Sequence, residues 1–551
     1  MSRNGKNFMS KLLDVLKTTI VKFVSKSLDA VKTSTVRMMG NIVATSRDEN
    51  SYVFKSRNFL TTNIVTIIFA VFVVAGFLAS PAIPLSGLIN EVMSRFFRNG
   101  LLVIALIVPV MAGLGLNFGI VVGALAAVLA IVPVRYIATV PYEEMSAFTA
   151  FLSNNIPTGG IGGLIVTFII ALPIALLFGY LTGKLYNKTR GQEMIAGIIV
   201  SFFAEGLWLI FVLFVIGAII PVAAAHPMII PRAVDGLQVP GVGIRMAFEM
   251  GAHPAHPIAA RNPDHVAGLA NSLDFIWEMN FLTGLLILSL GVLAFTVVRR
   301  ILASRNPAIK KVSKSVFIAK CVVLVFLLLL ALHGLLLPGG LILTIAGLRI
   351  VLPASPLLAV GTIPVVTGLV IIAGCLFTHY FTKTKLGQDC RSVGQSQHIA
   401  NSAGINVDRT RIIATMISTV LAAWGMIVFL QNMGHVNTYT AHRQIGMFSV
   451  AALLVGGATA SKAGIKNAMF GLLLFHAMFA VSPGIGRLIS GNELVAEAVR
   501  SFMVYGVISL ALGLHVWKTA RAARDKNSLA AMAREAARAE AKAASESASS
   551  G

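Results

Sequence analysis

The chain has 551 residues, of which 56% are hydrophobic and 12% charged, with a formal net charge of +23. A soluble core of this size needs far more charge to cover its surface, so the composition excludes a soluble globular protein and argues a polytopic membrane protein. The apolar runs lack the alternating ten-residue pattern of a barrel. The expected fold is therefore all-α, and the basic excess reads as cytoplasmic loops and tails rather than as a nucleic-acid surface.

Residues 1–57 read as a basic amphipathic leader. Phe8, Leu12, Leu16, Ile20, Phe23 and Leu28 alternate with Lys11, Lys17, Lys22, Lys26 and Lys32. This pattern fits a helix in the membrane interface, with each lysine worth about 1 kcal/mol beside an anionic leaflet. A cleaved transit peptide is the alternative. The transmembrane domain is expected to span 58–517. Twelve spans are predicted, at 62–80, 97–114, 118–134, 161–183, 194–222, 280–298, 316–337, 356–381, 411–431, 446–460, 467–483 and 496–517. The pairs 97–134 and 446–483 are punctuated by "GLGLNFG" and "GGATASKAG", which suits broken or re-entrant helices.

Lys and Arg set the orientation. Eleven precede the first span, six lie in 299–314 and seven follow Trp517. With twelve spans these regions share one side, so both termini are expected in the cytoplasm of a cell (inner) membrane. The opposite side receives the Pro- and His-rich loop 223–279. Its His226, His253, His256 and His265 supply imidazoles, but the prolines oppose a helical ligand pair, and no metal is assigned. A structured loop is the plainer expectation. The Ala-rich tail 518–551 is given no chemistry. The three cysteines, Cys321, Cys375 and Cys390, suggest neither a disulfide frame nor zinc.

A small polar cassette recurs, "NKTRGQEM" at 187–194 and "FTKTKLGQDC" at 381–390. Each follows one span and precedes another. It reads either as a basic anchor at a helix end or as a trace of an internal two-fold repeat. The second begins a loop over 383–410, too long for an anchor alone. "QSQHIANSAGI" has helical character between Gly394 and Gly404, and both glycines are expected where the chain reverses with positive φ. A short cytoplasmic helix joining two spans is a mechanical handle.

This loop resembles that of permease subunits of ABC importers, in the family serving branched-chain amino acids, monosaccharides and nucleosides. The resemblance rests on Thr384, Gly387, Arg391, Gly394, Gln395, Ala400, Gly404 and Ile405; Ser392, Gln397 and Ile399 depart from the family pattern. "ISTVLAA" at 417–423, "LLVGGATASKAG" at 453–464, "RGQEMIAGIIVSFFA" at 190–204 and "GLGLNFGIVVGALAA" at 113–127 are further points of similarity, the last without the Glu-Gly-Gln of nucleoside members. The resemblance implies a pseudo-repeated permease core and ATPase coupling through 383–410. It places a substrate path along 113–127, 194–222 and 446–468, with Asn117, Gly119, Ser201, Glu205, Ser418, Gly456 and Gly457. It also implies two ATPase subunits, a second permease subunit and an extracytoplasmic binding protein. No phosphate-binding Gly-x-x-x-x-Gly-Lys-Ser/Thr occurs, so ATP and Mg belong on the partner ATPase and no cofactor on this chain.

Among the acids, only Glu205 falls deep inside a predicted span, roughly 18 Å along its helix from Glu193. It reads as a group on the path or as a packing carboxyl. Carriers coupled to protons need several such groups, so ATP-driven import of a small polar solute is the first reading. A proton-coupled carrier using Glu205 is the second, and a membrane enzyme, needing clustered His, Asp or Glu, is the third.

Overall fold

The computed structural model describes residues 64–79, 84–139, 146–215, 232–234, 237–239, 247–251, 268–305, 313–336, 341–345, 348–352, 356–459 and 461–503, with scattered positions to 513. The leader 1–57, the tail 518–551 and the four histidines of loop 223–279 lie outside the described residues. The contacts below lie within the compact unit that begins at Val65.

In chain order the helices are α1 (Ile64–Ala79), α2 (Leu85–Ala105), α3 (Ile107–Met111), α4 (Ile120–Thr139), α5 (Ala147–Asn155), α6 (Gly160–Lys188) and α7 (Glu193–Ile210), which continues as a wider π turn to Val215. After them come α8 (Phe281–Arg305), α9 (Lys314–Leu336), α10 (Val365–Phe381), α11 (Lys385–Gln395), α12 (Gln397–Ser402), α13 (Val407–Met433), α14 (Ala441–Val455) and α15 (Ile465–Ser490). Residues 493–503 are helical again. The described strands are short antiparallel pairs in connections. Among the described residues eight helical segments are long and apolar enough to cross a membrane, and the α10–α11 pair, bent by 75°, makes a ninth. The all-α polytopic expectation therefore stands.

Three boundaries differ from the hydropathy reading. The second span begins at Leu85 rather than 97, because "NEVMSRFFRN" at 90–99 is helical despite its charges. The span expected from 356 opens with a 3-10 turn (Pro356–Ala359) and a strand (Thr362–Pro364), and its helix starts only after Pro364. The span expected to run to 460 stops at Val455, where Gly456 and Gly457 follow and Gly457 has φ +82°. The two punctuated pairs are separate helices, with non-helical residues between them at 112–119 and at 456–459 and 461–464.

Contacts between connections sort them to two ends of the bundle. At one end the strand 247–249 pairs with 435–437, 278–280 pairs with 362–364, and the Gly160 N–H donates to the Gly268 carbonyl at 2.9 Å. There Asp274 accepts from Thr367, from Gln431 at 3.2 Å and from Asn432 at 2.7 Å, which ties the 271–277 segment to α10 and α13. At the other end Asn187 reaches the Asp408 carbonyl, and the Thr66 hydroxyl reaches the Val455 carbonyl at 2.8 Å. Successive helices thus run alternately between the two ends.

The centre of the bundle is α4 and α13, which pack on each other and on α6. Small residues allow this. A methyl added at Gly179 would sit 2.7 Å from the Met416 Cα, and one at Gly183 2.9 Å from the Ile412 Cα. With no hydrophobic drive between helices in lipid, such close approach supplies the packing energy. The α8–α9 hairpin is peripheral. Most of its apolar side chains face away from the protein, as expected of a surface solvated by acyl chains.

Candidate functional site

The 383–410 loop folds as two short helices, α11 and α12, the first bent by 75° from α10. Thr384 caps α11: its Oγ1 accepts from the Gly387 N–H at 3.2 Å and donates to the Phe381 carbonyl at 2.7 Å. The capping explains why helix begins at Lys385, ahead of the predicted segment. Ser396 caps α12 in the same way, and Asn406 caps α13, accepting from the Arg409 N–H at 2.9 Å. Gly404 has φ +79°, the conformation expected at a helix C-terminus.

Gly394 does not. It lies inside α11 with no positive φ, and its requirement is space. A Cβ there would sit 2.2 Å from the Met111 carbonyl oxygen. The end of α11 therefore rests directly on the backbone that closes α3. Gly387 is similarly pressed, with an added Cβ 2.0 Å from the Phe381 carbonyl. Gly387, Cys390, Val393 and Ala400 form the buried side of the handle. Burial pushes the Cys390 thiol up to about 12, so it is a packing residue rather than a reactive one. Arg391, Ser392, Gln395, His398 and Ile399 face outward, and Ile405 is half-buried.

The two cassettes are not equivalent in structure, but the loops they begin meet. The first makes a tight turn between α6 and α7, with Gly191 at φ +85°. Glu193, at the start of α7, pairs with Arg411 near the start of α13, and Arg411 also donates to the Tyr186 carbonyl at 3.3 Å. Arg190 pairs with Asp408 on the exposed side of the same junction. The exit of the handle is thus clamped to the α6–α7 turn. The sequence reading saw neither ion pair, since partners 218 residues apart carry no spacing signal.

Of the residues predicted along a path, four come together. The Tyr186 hydroxyl donates to Asn117 Oδ1 at 2.7 Å, and Asn117 Nδ2 donates to Ser418 Oγ at 3.2 Å. The Ser201 hydroxyl donates to the Phe118 and Gly197 carbonyls, and Gly119 leaves room for the Tyr186 ring, whose oxygen an added methyl would meet at 2.4 Å. These groups are buried and their hydrogen bonds are satisfied within the protein, so in this conformation they tie the 112–119 turn, α6, α7 and α13 together. Gly456 and Gly457 lie apart from them, at the α14–α15 turn, where Asn467 Nδ2 donates to the Gly456 carbonyl at 2.8 Å. Glu205 is on the buried stripe of α7 with Gly197, Ser201 and Trp208.

Two cavities stand out. One, of about 560 Å³, borders the predicted path segments on α4, α6 and α7, but its walls are almost wholly apolar. The other, of about 400 Å³, was invisible in the sequence reading. It lies among α2, the end of α13, α14, α15 and the 493–503 helix, and its charged and titratable lining is Arg95, Arg98, Arg500, Glu497, His435 and His476, beside Phe429 and Phe479. The hydropathy reading leaves 85–96, with Arg95, outside any span and gives Arg98, at the edge of the span 97–114, no role. The signal that would have found them is the i,i+4 pairing of Glu91 and Arg95, joined at 2.6 Å on one helix face. Among the described residues no group of three or more His, Cys, Asp or Glu is placed to hold a metal.

The family model described as the permease component of branched-chain amino acid transport systems matches residues 144–512, more than half of the chain. The nucleoside ABC transporter permease protein NupB of Lactococcus lactis subsp. cremoris (strain MG1363) is 32% identical over 120 residues, which cover 21% of this chain and 31% of that one. The probable ABC transporter permease protein YphD of Escherichia coli (strain K12) is 33% identical over 150 residues, 26% of this chain and 42% of the relative. NupC, a second nucleoside ABC transporter permease protein of the same Lactococcus strain, is 30% identical over 138 residues, 25% and 43%. The chain thus spans less than half the length of the curated relatives it matches. No solved structure matches it.

Proposed function

This chain belongs to the family of permease components of branched-chain amino acid transport systems, and from that premise we propose that it is the membrane-spanning subunit of an ATP-driven importer of a small polar solute. The observation that carries the reading is the handle. α11 and α12 present an exposed polar face, while their buried side rests on the end of α3 and their exit is clamped to the α6–α7 turn. A push on α11 is delivered at once to α2–α3, α10 and α13. The residues that would meet an ATPase are the outward-facing Arg391 and Gln395, with Thr384, Gly387, Gly394, Ala400, Gly404 and Ile405 shaping the handle. The importer would pair this chain with a second permease subunit, two ATPases that carry ATP and Mg, and an extracytoplasmic binding protein.

The second reading, a proton-coupled carrier, rests on Glu205, a buried carboxyl near the middle of a span. The helices carry further charges, but Arg95, Arg98, Arg135, Arg411 and Arg500 are guanidiniums, which hold their protons and cannot relay them, and the carboxylates Glu91, Glu193 and Glu497 are each paired with one of these arginines. They do not strengthen the proton-coupled reading. Uptake into cells is expected to survive collapse of the proton gradient while ATP is maintained, and to stop when the partner ATPase is deleted. Uptake that ignores the ATPase but is lost in Glu205→Gln establishes the carrier instead.

Orientation follows from the same reading. The end of the bundle that holds 112–119, 189–192 and 382–406 is the cytoplasmic one, because the basic connections gather there. In a variant with all three cysteines replaced, Gln395→Cys is expected to react with an impermeant maleimide only in inside-out vesicles. Reaction in intact cells overturns the orientation.

A further inference from the structure

The arginine-lined cavity at the opposite end of the bundle has a composition that a neutral solute does not require. Three guanidiniums approach it. Arg95 is paired with Glu91, and Arg500 with Glu497 at 3.0 Å. Arg98 has no carboxylate within ion-pair distance among the described residues. Its contacts are the Met433 sulfur and the face of Phe429, 5.6 Å from the guanidinium carbon. Its Nε, though buried, makes no hydrogen bond. His476 is 2% exposed, lines the same space, and its Nδ1 is also without a hydrogen-bond partner. Arg95 and Arg500 both lie over Phe479, at 4.2 and 4.8 Å from the ring centre, so that ring holds two guanidiniums in place rather than offering a bare apolar wall.

A guanidinium left without a counter-charge in a protein cavity inside a membrane is costly, and such groups mark binding sites or paths. Its planar fork matches the two oxygens of a carboxylate or phosphate. The volume, about 400 Å³, is in the range that encloses a small organic solute. Access is from the end away from the handle, since His435, Asn437 and Thr440 of the α13–α14 connection form part of the wall.

We propose that this cavity is an oxyanion site: Arg98, with the Nδ1 edge of His476 beside it, receives the carboxylate or phosphate of a small organic solute entering from the extracytoplasmic side. The assignment rests on the importer reading for its direction, but the binding itself does not need an ATPase. It makes the solute an anion, in contrast to the uncharged nucleosides in the names of two of the relatives. Arg95 and Arg500 are positioning residues here, since their charges are already paired and their place is fixed by Phe479.

The test is thermal stabilisation of the purified full-length chain in a neutral detergent at constant ionic strength. Ribose 5-phosphate is compared with ribose, and lactate with glycerol. The unfolding midpoint is expected to rise saturably with at least one anion and not with its uncharged counterpart. In Arg98→Gln the half-saturating concentration is expected to rise at least tenfold. Should that variant fail to fold, Arg98→Lys reports instead: it keeps the charge, loses the fork, and is expected to weaken the response at least threefold. No saturable response to either anion, or an equal response in the variants, overturns the proposal. A lipid phosphate is the competing occupant, and a midpoint raised only in nanodiscs containing phosphatidylglycerol, against phosphatidylcholine, also overturns it. Uptake found to be independent of any ATPase would remove the importer reading and leave this binding result standing.

Discussion

Glu193→Ala is expected to destabilise the purified protein by about 3–5 kcal/mol, the usual cost of leaving one partner of a buried ion pair alone. The Arg411 side chain is wholly buried, and its Nε and Nη1 already lack partners. Without Glu193 its described partner is the Tyr186 carbonyl. Arg411→Met is expected to cost less, because the remaining Glu193 side chain is 10% exposed and can meet water, whereas the Arg411 side chain is wholly buried and a guanidinium cannot shed its charge. Replacing both residues by leucine is expected to recover most of the loss, since an apolar pair needs no desolvated charge. Unfolding midpoints in one detergent order the four proteins. Equal small losses in the single variants would show that water reaches the pair. By contrast, Arg190→Ala breaks the exposed pair to Asp408 on the same junction and is expected to cost at most about 1 kcal/mol.

That junction shows what was legible in the sequence and what was not. Long apolar runs fixed the existence of most spans, because a helix in lipid must be apolar along its length. The same rule failed at 85–96. There the helix lies against protein on one side, and Glu91, Arg95 and Arg98 follow one another at helical spacing toward a polar cavity. Hydropathy averages over all faces of a helix and cannot see that only one is polar. The handle was located from its motif, yet its internal geometry was misread at Gly394. A glycine needed for positive φ and one needed for close approach look alike in sequence, and only the Met111 carbonyl distinguishes them. The knot around Tyr186 drew on Asn117, Gly119, Ser201 and Ser418, all marked in advance, but Tyr186 itself was not. It sits in the first cassette's flank, where no residue pattern announces a partner in the 112–119 turn. The α2–α4 region lies outside the matched 144–512 stretch, although α4 is at the centre of the bundle.

Arg391→Ala is expected to abolish substrate-stimulated ATP hydrolysis by the assembled complex while leaving the unfolding midpoint of this chain unchanged. The first half follows from the proposed coupling role, the second from the structure. Arg391 is on the exposed face of α11 and makes no hydrogen bond or ion pair among the described residues, so its removal takes nothing from the fold. Gly394→Val separates contact from shape. Its side chain would have to enter the space of the Met111 carbonyl, so α11 must lift from the end of α3. Stability and stimulation are then expected to fall together, a correction to any view of Gly394 as a free hinge. Arg391→Lys decides the chemistry. If the guanidinium holds a carboxylate or a pair of carbonyls on the ATPase, lysine restores the charge without the fork and recovers only part of the stimulation. If 383–410 is merely a basic anchor, lysine is as good as arginine, and Arg391→Ala is covered by Lys383, Lys385 and Arg409 nearby. Full stimulation in both variants removes Arg391 from the coupling surface. The handle would then act through its exposed neighbours Ser392, Gln395 and His398, or not at all.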